Sequence, residues 1–279
     1  MLASWLPLAV VALVVWSVQR VVTKVALIRW STARFYRLNA ILSLAIYAVF
    51  AIAVPPEPGG LVGALGLSLL MAVTFWVTTE ATRRGPVGLV APLTAMSPAL
   101  TVILAMTILG ERISSEQGLG IGAAVVGSAL LSFRPNAPRA LAGWLPLAIS
   151  SLVLQGLGAF IAKVLVTASG PTDLLVTSAA VQLIVGLTIA RREPLGGREL
   201  LRGRGLATAL TLVAAAVATI GYLSALSVGP ASVIVPLVAT SPALGGLLGI
   251  AVLREGVTSR QLAGIALGAF AAVLLATAA

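Results

Sequence analysis

Long apolar stretches fill this chain, and polar residues arrive in short clusters between them. Cutting at charges and at Gly/Pro clusters leaves ten runs, each near the roughly 20 apolar residues that a membrane-spanning helix needs. The first five are Trp5–Lys24, Ser31–Val54, Leu61–Thr82, Val87–Leu109 and Glu116–Phe133. The second five are Trp144–Val166, Thr172–Ala190, Leu206–Val228, Ala231–Leu253 and Ser259–Ala278. Connections are short and leave little room for a soluble domain. The longest, Arg191–Gly205, is strongly basic, and Arg134–Gly143 separates the fifth run from the sixth. The pattern predicts an all-α integral membrane protein of ten transmembrane helices. In the first run the charges Arg20 and Lys24 follow the apolar stretch instead of preceding it, so it reads as an uncleaved helix and not a signal peptide.

The pattern is written twice. Gly85–Gly122 and Gly229–Ala266 lie 144 positions apart, align without a gap and agree at 16 of 38 positions. The matches include Pro86/Pro230, Pro92/Pro236, Ser97/Ser241, Pro98/Pro242, Glu111/Glu255 and Gln117/Gln261. Shared apolar composition supplies matching Leu, Ala and Val, but it does not put prolines, a glutamate and a glutamine in register. Trp5-Leu-Pro-Leu-Ala9 also recurs, as Trp144-Leu-Pro-Leu-Ala148. The chain reads as a tandem duplication, with one five-helix unit at 1–134, a linker at 135–143 and a second unit at 144–279.

Five is an odd number, so the second unit should enter the membrane upside down. The charges agree. Arg29, Arg34 and Arg37 lie between runs one and two, whereas the equivalent six–seven connection has no Arg or Lys after Lys163. Arg83 and Arg84 lie between runs three and four, and the eight–nine link is uncharged. The bias reverses between Val54–Gly60 and its counterpart, which carries Arg191, Arg192, Arg198, Arg202 and Arg204. Such opposition is expected of two inverted repeats that each keep positive residues on the cytoplasmic side. The arginine-rich connections are then cytoplasmic and both termini extracytoplasmic.

Composition narrows the chemistry. Apolar residues make up 59% of the chain and charged residues 9%, with a mean hydropathy of +1.09. A soluble domain carries about 25% charge, so most of this surface must face lipid. The net charge of +10 reflects cytoplasmic loop arginines and not nucleic-acid binding. No cysteine or histidine is present, and Asp173 is the only aspartate. Those absences exclude disulfides, thiol catalysis and Cys-based metal sites, remove the usual His ligand and leave no credible nucleophile–base pair; no metal and no cofactor are expected. A Ser/Lys pair through Lys24 or Lys163 would sit near helix ends. The expected function is not enzymatic.

The repeated signatures resemble the drug/metabolite transporter superfamily, specifically a tandem EamA-domain protein. Gly85-Pro86, Pro92, Pro98, Gly110-Glu111-Arg112 and Gln117-Gly118-Leu119-Gly120 carry the resemblance in the first half. Gly229-Pro230, Pro236, Pro242, Glu255 and Gln261 to Gly264 carry it in the second, with Lys24 and Lys163 near the ends of runs one and six. The sequence departs at Arg254-Glu255-Gly256, where the Gly-Glu-Arg order is altered. The resemblance implies export or exchange of small metabolites by alternating access through a central cavity between the repeats. It also implies a bacterial inner-membrane location and, from the branch of aromatic and other amino-acid exporters, an amino-acid substrate. Efflux of another metabolite, a drug or a cation is the alternative, and a channel or a structural membrane subunit is the reading from another class. The bilayer and a small solute are the expected partners, with the chain a monomer or a weak homo-oligomer.

Polar residues at membrane depth are costly and mark candidate sites. Gln155 lies deepest in its run, Gln19 nearer the end of the first, and Thr79 and Glu80 close the third. Asn39 and Ser43 share a helix face, with Ser178 and Gln182 at the corresponding positions of run seven. Trp16, Trp76, Tyr222 and Phe160 are candidates for stacking on a solute, with a lipid-facing or packing role the equal alternative for Trp16 and Trp76, while Trp5, Trp30 and Trp144 read as interfacial anchors. The expected substrate-binding set is Trp16, Gln19, Asn39, Ser43, Trp76, Thr79, Glu80, Ser97, Gln155, Tyr222 and Ser241. For the individual Ser and Thr residues, interhelical hydrogen bonding is the stronger reading. Pro92, Pro98, Pro236 and Pro242 break intrahelical hydrogen bonds and mark hinges or static kinks. Glu111 and Glu255 are expected to pair with Arg112 and Arg254. The GxxxG pairs Gly118/Gly122, Gly245/Gly249 and Gly264/Gly268 are expected to pack within the bundle. With so few carboxylates, transport should be facilitated and not proton-coupled.

Overall fold

A computed structural model describes residues 4–27, 32–57, 59–84, 90, 93–132, 143–189, 203–253 and 258–278. Among them there are eleven helices and no strand. In the first half these are α1 (Leu6–Leu27), α2 (Thr32–Ala53), α3 (Leu61–Arg84), α4 (Ser97–Ile108) and α5 (Ser115–Ser132). The second half supplies α6 (Trp144–Ser169), α7 (Thr172–Ile189), α8 (Gly203–Val228), α9 (Ala231–Ala239), α10 (Ser241–Leu253) and α11 (Ser259–Thr277). Six segments are long and apolar enough to cross a membrane, the span Ala231–Ala251 running through α9 and α10. Large apolar side chains such as Ile52, Val62 and Val273 stand on the outside, as helices solvated by lipid require.

The ninth run, read as one helix, is two. Thr240 separates α9 from α10, and its amide bonds back to Leu237 O at 3.1 Å while its carbonyl accepts from Ala243 N at 2.9 Å. The first half repeats this break, with Met96 N bonding Leu93 O at 3.2 Å and Ala99 N bonding Met96 O at 3.0 Å. Pro98 and Pro242 follow the breaks inside the first helical turn, where a missing N–H costs nothing. Pro236 sits within α9; Pro92 lies outside the described residues.

The halves are interleaved. The four most extensive helix interfaces (α5–α11, α1–α8, α3–α6 and α2–α7) each join one half to the other. Exchanging the halves maps this set onto itself, and it also maps α1–α10 onto α6–α4 and α2–α8 onto α7–α3. The equivalent helices α5 and α11 run antiparallel. Gln117 at the start of α5 donates to Ala278 O beyond the end of α11 at 2.9 Å. Further along, Gly120 packs on Leu275, Gly127 on Gly268, and Leu131 on Gly264. A Cβ on Gly127 would lie 2.9 Å from Gly268 N, and one on Gly264 would lie 2.8 Å from Gly127 O. The backbones touch there, so glycine is required. The GxxxG pair Gly264/Gly268 thus packs inside the bundle, whereas a Cβ on Gly122 would meet nothing.

Both α5 and α11 begin with the same reciprocal cap. Ser114 Oγ accepts from Gln117 N at 3.1 Å and Gln117 Oε1 from Ser114 N at 2.9 Å. Thr258 and Gln261 repeat the motif at the start of α11. Each satisfies amides that a helix start leaves unpaired. The turn before α5 needs Gly110, whose φ is +68°.

Two expectations fail. Trp5 is no interfacial anchor, since it is only 6% exposed and lies in the main core with Leu226 and Ile234. Gly229 makes this possible, because any Cβ there would strike the indole. Trp144 packs on the small cluster of Ala81, Val90 and Ala148; Trp30 lies outside the described residues. Glu111 does not spend its carboxylate on Arg112. Its two oxygens accept from Ala231 N at 2.9 Å and Ser232 N at 2.8 Å, the first amides of α9. A carboxylate on a helix N-terminus satisfies free amides and complements the helix dipole. Glu255 and Arg254 lie outside the described residues.

Candidate functional site

Six helices leave a cavity of about 790 Å³ between the halves. On α3, Leu67, Ser68, Met71, Ala72, Phe75 and Trp76 fall on one face at helical spacing and form one wall. The opposite walls come from α6 (Gln155, Gly158, Ala159) and α7 (Ser178, Val181, Gln182). Tyr36 from α2, Tyr222 from α8 and Ser97 at the start of α4 complete the lining. Gly158 matters because a Cβ there would collide with Met71, so the glycine lets α3 and α6 close on each other. The Tyr36 and Phe75 rings meet across the cavity edge at 6.3 Å. No charged side chain of the described residues lines it.

A smaller cavity of about 170 Å³ adjoins it, lined by Trp16, Gln19, Asn39, Ser43, Tyr47 and Thr219 among others. Ser178 and Gln182 line both. Trp16 of the small cavity and Tyr222 of the large one are in ring contact, with centroids 5.2 Å apart and planes at 55°.

The expected site residues separate into three groups. Trp76, Ser97, Gln155 and Tyr222 line the large cavity, and Trp16, Gln19, Asn39 and Ser43 line the small one. Glu80 lines neither and is held by Arg84 Nε at 2.6 Å. Ser241 lines neither either; it is 2% exposed, and its carbonyl accepts from Ser17 Oγ at 3.2 Å. The Thr79 side chain lies outside the described residues. Gln155 lines the cavity but is engaged by the protein, donating to Ser151 Oγ at 2.8 Å and Thr78 Oγ1 at 3.5 Å. Phe160 is buried in the bundle. Trp76 is 64% exposed, so its ring reaches from the cavity rim to the outer surface.

Tyr36, Tyr47, Met71 and Phe75 were not foreseen. Tyr36, Asn39, Ser43 and Tyr47 make a stripe at spacings of three and four along α2, a signal visible in the sequence once the two tyrosines are read with their polar neighbours.

A second polar constellation grips the turn between α8 and α9. Lys163 Nζ donates to Leu226 O at 2.7 Å and Gly229 O at 2.8 Å, at the carbonyl end of α8. Glu111 holds the amide end of α9 directly after it. A cation on a helix C-terminus and an anion on the next N-terminus each oppose the local dipole charge. Buried Asp173 accepts from Glu57 N at 2.9 Å and ties the α2–α3 loop to the start of α7.

The profile of the EamA-like transporter family matches this chain twice, at residues 3–133 and 142–277. The chain belongs to the EamA-like transporter family. Members of this family are transporters and not enzymes, and the EamA chain is accordingly a multi-pass membrane protein of the drug/metabolite transporter type. Among curated proteins, none matches. A crystal structure of a protein 14% identical in sequence superposes with a TM-score of 0.76, covering 98% of this chain and 96% of its own. At that identity the likeness speaks for the fold alone.

Proposed function

We propose that this chain exports or exchanges amino acids, aromatic ones included, by alternating access between two inverted five-helix repeats. The cavity of about 790 Å³, walled by helices of both halves, carries this reading. It falls in the 300–1,000 Å³ range typical of small-molecule sites, with aromatic rings, amides and hydroxyls in a largely apolar lining. The antiparallel pairing of α5 with α11 supports inversion, as does the opposite charge bias of equivalent loops. On this reading ten segments span the bacterial inner membrane, residues 1–134 and 144–279 form the repeats, and both termini are extracytoplasmic. The breaks at Met96 and Thr240 are the hinges, placed just before Pro98 and Pro242. Substrate contacts come from Trp16, Gln19, Asn39, Ser43, Trp76, Ser97, Gln155 and Tyr222.

Transport is facilitated and not proton-coupled, because Glu80 pairs with Arg84 and both oxygens of Glu111 hold amides of α9, while Asp173 lines neither cavity. Cation efflux is the second reading, favoured by the Tyr36, Phe75 and Trp76 rings. Purified protein in liposomes preloaded with unlabelled amino acid should take up labelled amino acid transiently, in a saturable way and without an imposed pH gradient. Counterflow with organic cations but not amino acids selects the second reading. Conductance without counterflow means a channel. Uptake that requires a pH gradient and is lost in Glu80→Gln contradicts the uncoupled mechanism.

A further inference from the structure

The small cavity holds three primary amides, on Gln19, Asn39 and Gln182. None of them forms a hydrogen bond with any described residue. Gln155, the other cavity amide, is engaged by Ser151 and Thr78. Unpaired amides inside a membrane bundle are expensive, and three from three helices converge on a space of about 170 Å³. That space holds five or six waters at roughly 30 Å³ each, or the polar end of one small solute.

We infer that this cavity is the headgroup pocket of the transport site, and that it selects a net-neutral head bearing both hydrogen-bond donors and acceptors, an ammonium and a carboxylate on one carbon. The inference rests on the amino-acid reading above and specifies which part of the site reads which part of the solute. Each amide offers two N–H donors and one carbonyl acceptor. Three amides therefore answer a carboxylate with N–H groups and an ammonium with carbonyls, without a charged side chain. A solute with one net charge finds no countercharge among the described lining residues and pays its desolvation unrelieved. The apolar or aromatic body stays in the larger cavity, whose wall is carbon-rich. Ser178 and Gln182 border both spaces, so the head enters beside them.

The test uses three probes with the same ring: L-phenylalanine, phenethylamine and 3-phenylpropionate, which are a zwitterion, a cation and an anion. Reconstituted wild-type protein should exchange phenylalanine, with the other two at least about tenfold weaker as competitors. Asn39→Leu and Gln182→Leu remove one to two hydrogen bonds and should each raise the half-saturation concentration for phenylalanine by about five- to tenfold. Gln182→Glu adds a countercharge, so preference should turn toward phenethylamine, a gain that misfolding does not imitate. Equal competition by all three probes overturns the headgroup assignment, as does phenylalanine exchange unaffected by the amide variants. If the wild type exchanges none of the three, the amino-acid reading fails and this assignment with it. Phenylalanine exchange without a change of preference in Gln182→Glu sinks this assignment alone.

Discussion

The same two positions of the repeated unit are filled differently in the two halves. With Trp5 aligned to Trp144 and Gly85 to Gly229, Trp16 corresponds to Gln155 and Tyr222 to Thr78. Trp16 meets Tyr222 ring to ring at 5.2 Å. Their counterparts meet as a weak hydrogen bond of 3.5 Å from Gln155 to Thr78. One residue further on, Ser17 donates to Ser241 O at 3.2 Å, whereas its counterpart Gly156 leaves no room for a Cβ, which would lie 2.9 Å from Ser97 O. The helix pairing is the same in both places and the chemistry is not. By contrast, the caps at Ser114/Gln117 and Thr258/Gln261 and the contacts Gly120–Leu275 and Gly264–Leu131 are kept in both halves. The caps and the glycine–leucine contacts are shared; the aromatic and amide positions beside the cavity differ. The result is an aromatic contact at one of the two equivalent places and a hydrogen-bonding one at the other.

Substitutions test that division, from the most damaging to the mildest. Gly127→Leu forces a side chain into the backbone contact of α5 with α11 and should destabilise by about 3 kcal/mol or more. The readout is the apparent unfolding temperature of detergent-solubilised protein, expected to fall by several degrees; an unchanged value would mean that α5 and α11 do not touch there. Glu111→Ala removes two charge-assisted bonds to α9 and should cost roughly 2–4 kcal/mol, with Glu111→Gln recovering part of it. Equal loss in both variants would show that the carboxylate acts through charge alone. Trp16→Ala should weaken solute exchange about tenfold and lower the unfolding temperature modestly, because the lost ring contact with Tyr222 contributes roughly 0.5–1.5 kcal/mol beyond its area. Gln155→Leu should shift exchange less than about threefold, as hydrogen bonds between membrane helices average about 0.6 kcal/mol. If Gln155→Leu outweighs Trp16→Ala, the hydrogen-bonding contact is the dominant one and the comparison is reversed.

Most of the helix plan could be read from the sequence, because apolar length and loop charge are strong one-dimensional signals. The side chains around the cavity were partly legible. Asn39, Gln19 and Trp16 announce themselves as polar or large aromatic residues at membrane depth, and they do face the small cavity. Tyr36 and Tyr47 escaped because a tyrosine near a helix end reads equally well as an interfacial residue. The partners of Glu111 were hidden for a deeper reason. They are backbone amides of α9, and an amide has no residue identity to read. Trp5 was misread because its burial depends on Gly229, more than two hundred residues away. The breaks at Met96 and Thr240 follow from Pro98 and Pro242, but sequence alone does not say whether such a proline bends a helix or divides it.

Opposite orientation of the two repeats is the claim on which the carrier mechanism stands, and the cysteine-free chain makes it directly measurable. Ser115 and Ser259 occupy the same exposed place in the two units, at the start of α5 and of α11. Single Ser115→Cys and Ser259→Cys proteins, treated in intact cells with a membrane-impermeant maleimide, should be labelled at position 115 and protected at position 259 until the membrane is opened. Labelling of both, or of neither, from the outer side would contradict the account.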